Sequence, residues 1–69
     1  MQKGTVKWFN VKKGYGFITP ENSDKDILVH ITALEKNGLR RLNDGDIVNF
    51  EVYNDRGRQA AGNIDLIRQ

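Results

Sequence analysis

The stretch that decides the fold is KGYGFI, residues 13–18. In an extended strand the side chains alternate between two faces, so Tyr15 and Phe17 point one way while Gly16 and Ile18 point the other. Ile18 suits a core face, which leaves two neighbouring rings on the opposite face. Rings side by side on a sheet, with lysines nearby, form a surface on which nucleic-acid bases stack. The alternative is that both rings are ordinary strand-forming residues.

Aromatic and basic residues continue on both sides of this stretch. Three segments carry the pattern: GTVKWFN at 4–10, KGYGFITP at 13–20 and DILVHI at 26–31. They resemble the bacterial cold-shock proteins, in which the first segment is the KWFN strand and the other two are the ribonucleoprotein motifs, the second usually read as VFVHF. LNDG at 42–45 and RGRQAAGNI at 56–64 also stand where the family has similar segments. The resemblance therefore covers nearly the whole chain, in order.

Length and composition restrict the choice of class. The 69 residues suffice for one small domain, so we expect a single cold-shock domain over 1–69 with a thin core. The sequence has no cysteine and one histidine, which excludes a disulfide and a zinc site, and we expect no metal and no cofactor. No apolar run reaches transmembrane length and the N-terminus lacks a signal-peptide pattern, so we expect a cytoplasmic protein without a membrane partner.

Positive charge is concentrated in the first part of the chain. The formal net charge is only +2, but residues 1–20 contain four lysines and no acid, whereas residues 21–69 carry a net charge of −2. Basic residues thus surround the aromatic strands, as a phosphate-binding surface requires. The alternative is a solvated charged edge that prevents aggregation.

The order of strands and turns predicts an all-β fold. The expected strands are 4–10, 15–19, 27–31, 47–53 and 59–66, with a hairpin turn at 54–57. In the fourth strand Val48, Phe50 and Val52 share one face; in the fifth strand Ala60, Gly62, Ile64 and Leu66 share one face.

One short helical segment interrupts the strands. TALE at 32–35 has the spacing of a capping box, and Asn37-Gly38 is a helix-stop signal, so we expect one helical turn, of α or 3₁₀ type. Five short strands and one helical turn suggest a small antiparallel barrel, whose closure removes exposed edges. The family resemblance implies a five-stranded OB-type barrel.

The resemblance also implies which side chains bind. Trp8, Tyr15, Phe17 and His30 match the ring platform of cold-shock proteins, on which bases stack. Phe9 matches the family as well, but core packing explains it equally well. The alternative for His30 is a structural hydrogen bond, although its alternation with Val29 favours the ring face.

Polar contacts are expected beside the rings. Lys7, Lys13 and Arg56 are the predicted cationic contacts to phosphate or base edges. Asn10 and Asp26 match family positions that hydrogen-bond exposed bases, and either is equally explained as a turn residue that bonds its own backbone.

The chain departs from the family at several aromatic positions. Leu28, Ile31 and Leu39 stand where the family usually has phenylalanine, which predicts a smaller ring platform and weaker binding per nucleotide. Arg58 stands where many relatives have proline. With Arg40 and Arg41 it predicts a larger electrostatic share of binding, and hence a steep loss of affinity with salt.

The resemblance implies a non-enzymatic protein that binds single-stranded RNA and DNA, and nothing in the sequence requires more than a monomer. Such a protein is an RNA chaperone, in cold adaptation and in the regulation of transcription or translation. No small-molecule substrate is expected. An enzyme such as a nuclease is the first alternative, but the sequence has no histidine pair, metal-ligand cluster or P-loop. The second is a protein-docking barrel that uses Leu28, Ile31 and Leu39 as an apolar patch.

Overall fold

Five strands and one helix follow each other along the chain. A computed structural model describes residues 1–67; the last two residues of the expected domain, 68–69, lie outside the described residues. The elements are β1 (Gln2–Asn10), β2 (Tyr15–Pro20), β3 (Ile27–His30), α1 (Ile31–Lys36), β4 (Ile47–Asp55) and β5 (Arg58–Ile67). The predicted all-β class is confirmed, and the strands begin and end within a few residues of the expected positions.

The strands close into a barrel in the order β1-β2-β3-β5-β4, with β4 pairing back onto β1. The pairs β1–β2, β2–β3, β4–β5 and β1–β4 are antiparallel. The pair β3–β5 is parallel, with Leu28 opposite Ala60. The expectation of a purely antiparallel barrel was therefore wrong. Turn signals predict hairpins between consecutive strands, but β3 and β5 meet only when the barrel closes.

The core fills the inside of this barrel. Phe50 is its largest fully buried side chain, and Ile18 of the opening stretch is also fully buried, as predicted. The cluster comprises Val6, Ile18, Ile27, Val29, Ala33, Leu34, Leu42, Val48, Phe50, Ala61 and Ile64. Phe9, Leu39, Val52 and Leu66 pack against it from partly buried positions.

Strand β5 does not keep the predicted alternation. The register with β4 shifts between Asn49 and Glu51, and Asn63 has a positive φ of 49°. An extra residue in one strand is a β-bulge, which reverses the facing of the residues beyond it. Ala61 and Ile64 therefore both belong to the core cluster. The prediction that Ala60 and Ile64 share one face was wrong for this reason.

The helix is longer than expected and begins earlier. Helix α1 starts directly after His30, which is its N-cap residue in extended conformation and makes no side-chain cap hydrogen bond. The predicted capping box at 32–35 was therefore wrong, as was the assignment of Ile31 to the third strand. Six residues make between one and two α-helical turns.

The predicted stop at Asn37-Gly38 is confirmed by a Schellman motif. The Leu39 N–H donates to the Leu34 carbonyl at 2.9 Å, and the Gly38 N–H donates to the Glu35 carbonyl at 3.1 Å. Gly38 has the positive φ, 76°, that this motif requires. The residue after such a glycine commonly makes a hydrophobic contact with the last turn of the helix. Leu39 occupies that position and packs against the core.

Candidate nucleic-acid interface

Three rings form a cluster on the outer face of β1 and β2. The ring centroid of Trp8 lies 5.3 Å from that of Phe17 and 5.6 Å from that of Tyr15, and the Tyr15 and Phe17 centroids are 6.4 Å apart. All three pairs are edge-to-face, with interplanar angles of 64–87°. This is a favoured aromatic geometry. The three side chains are half-buried, so each keeps part of its ring exposed.

A bulge in β1 brings Trp8 to this face. Val6 pairs with Ile18 and Trp8 pairs with Phe17, so Lys7 is the extra residue between the two pairs. In a regular strand Val6 and Trp8 would share a face. Because of the bulge, Val6 faces the core while Lys7 and Trp8 both lie on the outer face.

Phe9 lies on the other side of the same strand. It packs against the core cluster, opposite Gly16 of β2. A Cβ atom at Gly16 would clash with the Trp8 carbonyl oxygen and would lie 2.7 Å from the Phe9 Cα. Gly16 therefore lets the two strands carry rings on both faces. Of the two interpretations of Phe9, this position agrees with core packing.

An open groove of about 520 Å³ adjoins the rings. Tyr15 and Phe17 of the ring cluster form one side, and Leu28 lies at the floor with 7% of its surface exposed. The remaining lining residues are His30 from the end of β3, and Asp55, Arg56 and Arg58 from the β4–β5 hairpin. His30 is paired with Tyr15 across β2 and β3, which sets the imidazole beside the ring cluster.

A second open groove, of about 400 Å³, continues along the same face. It shares Phe17, Leu28 and Arg58 with the first groove, and Lys25, Asp26 and Gln59 complete its lining. Arg58 therefore borders both grooves. The two grooves and the ring cluster together are called the binding face below.

Lys7 is held by an ion pair at the margin of the binding face. Its Nζ donates to Asp26 Oδ2 at 3.0 Å, and the Thr19 hydroxyl donates to Asp26 Oδ1 at 2.8 Å. The hydrogen bond from Lys7, followed by that from Thr19, lowers the pKa of the Asp26 carboxyl below its ordinary value of 3.8. The Lys7 side chain is 58% exposed, so its ammonium is still accessible to a phosphate.

Asn10 is used by the turn between β1 and β2. Its Oδ1 accepts from the Lys13 N–H at 3.0 Å, and its carbonyl accepts from the Gly14 N–H at 2.8 Å. This contact agrees with the turn interpretation of Asn10. The Lys13 side chain itself is exposed.

The three aliphatic positions do not lie together. Only Leu28 lines the grooves. Ile31 is the first residue of α1, and its Cγ2 lies 3.3 Å from the Cβ position of Gly14, at the end of the β1–β2 turn. Leu39 packs against the core at the end of the helix.

Sequence reasoning missed several groove residues. Asp55, Lys25 and Gln59 were not predicted, and Arg58 was noted only for its charge. The hairpin held a usable signal: a two-residue turn at Arg56-Gly57 sets Asp55 opposite Arg58. Lys25 lies in the loop before β3 and Gln59 lies on β5, so the two share a groove because β3 and β5 are neighbours, and no turn signal predicts that pairing.

Residues 1–67 contain no group of three or more His, Cys, Asp and Glu side chains placed to hold a metal ion. The helix described there is too short to cross a membrane.

Comparison with known proteins agrees with this geometry. A sequence model of the 'Cold-shock' DNA-binding domain matches residues 2–67. The chain is 48% identical to the probable cold shock protein y4cH of Sinorhizobium fredii, with 93% of this chain and 96% of the relative covered. It is 48% identical to the cold shock-like protein CspE of Escherichia coli, with 90% of each chain covered. It is 50% identical to the major cold shock protein of Micrococcus luteus, with 88% of this chain and 92% of the relative covered.

The match extends over the strands that carry the rings, the grooves and the hairpin, and it agrees with the closed five-stranded barrel. This chain therefore belongs to the cold-shock domain family.

Proposed function

We propose that this chain, as one cold-shock domain over residues 1–69, binds single-stranded RNA and DNA and acts as an RNA chaperone. The observation that carries the proposal is the contact between the Trp8, Tyr15 and Phe17 rings and a groove lined by Arg56 and Arg58. Rings stack on any base, and arginine and lysine attract the phosphates between bases. The names of the relatives and of the family support the same function.

The mechanism is competition with base pairing. Bases that stack on Phe17, Trp8 and His30 are separated from their partners, so weak secondary structure melts without an energy source. Each contact is modest, and all of them lie on an open face. The protein is therefore expected to release its ligand quickly, which suits a role in cold adaptation and in the regulation of transcription or translation.

We further propose that the chain binds nucleic acid as a monomer in the cytoplasm, without catalysis, cofactor or small-molecule substrate. The alternative of a protein-docking patch finds no support in the positions of Leu28, Ile31 and Leu39, because these side chains lie at three separate places.

Titration of the chain with oligo-dT and oligo-U, followed by the fluorescence of Trp8, tests the proposal. Single strands are expected to quench Trp8, whereas a duplex of the same sequence is not. Phe17→Ala is expected to weaken binding by about 1–3 kcal/mol, the contribution of one stacked base. Phe17→Leu is the matched control for ring character: it keeps most of the apolar volume but has no ring, so it is expected to bind as weakly as Phe17→Ala.

The salt dependence of the same titration measures the phosphate contacts. Contacts from Lys7, Lys13, Arg56 and Arg58 are expected to give a slope of log K against log salt of about −3, since each contact on a single strand contributes about −0.7. Wild-type affinity in Phe17→Leu would exclude ring stacking. Absence of binding to any single strand would exclude the proposed function.

A further inference from the structure

One row of paired residues crosses all five strands of the barrel. Trp8 pairs with Phe17, Phe17 with Leu28, Leu28 with Ala60, and Ala60 with Tyr53. Directly paired residues on neighbouring strands have their side chains on the same face of a sheet. Trp8 and Phe17 lie on the outer face, so the row continues around the outside of the barrel and ends at another aromatic residue, Tyr53.

Tyr53 has the exposure of a binding residue. It is 47% exposed, more than any other aromatic side chain in residues 1–67. Its Cδ1 and Cε1 lie 3.3 Å from the Cβ position of Gly62. One part of the ring therefore rests on a glycine of β5, while the rest is open to solvent.

A separate groove of about 380 Å³ lies beside this ring, between α1 and strands β4 and β5. Lys36, in the last turn of α1, and Glu51, on β4, contribute the opposite charges of its lining. An ammonium group attracts a phosphate, and a carboxylate accepts hydrogen bonds from a base amino group. The groove therefore combines an exposed ring with polar groups for both parts of a nucleotide.

We propose that Tyr53 and this groove form an additional base-binding site for the same single strand that occupies the binding face. The site rests on the proposed function and extends it. A second class of ligand is not needed, because both rings lie in one row on the outer face; Leu28 and Ala60 between them are only 7% and 1% exposed, so the strand passes over them without stacking there. The two rings are three strand spacings apart, about 14 Å along the sheet. A strand that covers Phe17 therefore has to be several nucleotides longer to reach Tyr53.

Oligonucleotide length separates the two sites experimentally. Oligo-dT of about 4 nucleotides and of about 16 nucleotides represent the ends of the range that one barrel of this type covers. Tyr53→Thr keeps a strand-forming residue but removes the ring. It is expected to bind the short oligonucleotide as the wild type does and the long one about 5-fold or more weakly, which corresponds to one lost base stack. Tyr53→Phe keeps the ring and is expected to bind both as the wild type does.

Lys36→Gln is a second, independent variant on the helix. It is expected to reduce the salt dependence of binding for the long oligonucleotide only, since it removes one cation from the additional site. Thermal unfolding of each variant shows whether the barrel remains folded.

The outcomes distinguish the new site from the proposed function. Wild-type binding of the long oligonucleotide by Tyr53→Thr overturns the additional site and leaves the proposed function intact. An equal loss for both lengths also overturns it, because Tyr53 would then act through the barrel itself. Failure of the wild type to bind either oligonucleotide overturns the proposed function, and the additional site with it.

Discussion

At the scale of single residues, Gly16 sets the distance between the two ring-bearing strands. An alanine there would place its Cβ 2.7 Å from the Phe9 Cα, which only a backbone shift relieves. Gly16→Ala is therefore expected to lower the free energy of unfolding by about 3 kcal/mol, at the upper end of overpacking costs. Urea unfolding measures this loss.

Gly62 offers the matched control. Its Cβ position contacts only the exposed Tyr53 ring at 3.3 Å, and a side chain can move aside. Gly62→Ala is expected to change the free energy of unfolding by about 0.5 kcal/mol or less. Equal effects of the two substitutions would contradict the assignment of Gly16 as the spacing residue.

Leu28 is the aliphatic position at which a ring would matter. Leu28→Phe puts a ring on the groove floor between Phe17 and Ala60, and affinity for oligo-dT is expected to rise by about 1 kcal/mol, the lower value for one stacked base. Trp8 fluorescence titration measures it. Leu39→Phe serves as the control: it enlarges a side chain that packs against the core, so it is expected to leave affinity unchanged and to cost about 1–3 kcal/mol of stability. A gain in affinity from Leu39→Phe alone would contradict this placement.

At the scale of elements, the β4–β5 hairpin balances stability against binding. Its two central residues, Arg56 and Gly57, have positive φ values of 55° and 83°. A type I′ turn requires this conformation, which asparagine adopts more easily than arginine. Arg56→Asn is therefore expected to raise the free energy of unfolding by about 1 kcal/mol and to weaken oligonucleotide binding, since a groove cation is lost.

Arg40→Asn controls for the loss of charge. Arg40 is exposed in the long connection and is absent from the positive-φ residues of the described chain. The Arg40→Asn variant is expected to show no increase in the free energy of unfolding. Parallel changes of stability in both variants, measured by urea unfolding, would show that charge rather than backbone conformation is responsible.

The strands and the helix also show which local features could be predicted from the sequence. Alternation in KGYGFI correctly placed Ile18 in the core and Tyr15 and Phe17 outside. Alternation fails at Lys7 and Asn63, because a bulge adds one residue without any required residue type. The predicted helix start was also wrong. The extended residue His30 is the N-cap and makes no side-chain cap hydrogen bond, and Thr32, whose hydroxyl was expected to cap the helix, lies inside it.

At the scale of the whole molecule, the sequence predicts the features of the topology and of the binding face that depend on local signals, but not those that depend on distant strands. The turn glycines and the Arg56-Gly57 hairpin predict antiparallel neighbours, which the structure confirms. The parallel pair depends on closure of the entire barrel and has no local signal. The ring cluster was predictable from the motif, whereas the second groove and the row that ends at Tyr53 depend on that non-local pair.

Stability at acid pH depends on the Asp26 contacts, which join β1, β2 and the following loop. The pKa of Asp26 is lower in the folded chain than its ordinary value of 3.8, so the folded state binds fewer protons there. This contribution is complete above the ordinary pKa and is lost as the pH falls through the folded pKa. Asp26→Asn is expected to reduce the loss of stability between about pH 5 and about pH 2 and to cost under about 1 kcal/mol at neutral pH.

Urea unfolding across that pH range provides the measurement. Asp24→Asn, at an exposed position of the same loop, is the control and is expected to follow the wild type. If the free energy of unfolding of Asp26→Asn fell between about pH 5 and about pH 2 as much as that of the wild type, the role of these contacts would be contradicted.

The parallel pairing of β3 and β5 rests on one register pair, Leu28 with Ala60, whereas β4 and β5 share eight. Local opening of a protein begins where the fewest contacts must be broken. The barrel is therefore expected to open first between β3 and β5. Leu28, which belongs to this pair, is also the floor of the nucleic-acid groove. A ligand that contacts Leu28 of β3 and Arg58 of β5, which line the same groove, holds the two strands together, so occupancy and closure of the barrel are thermodynamically linked.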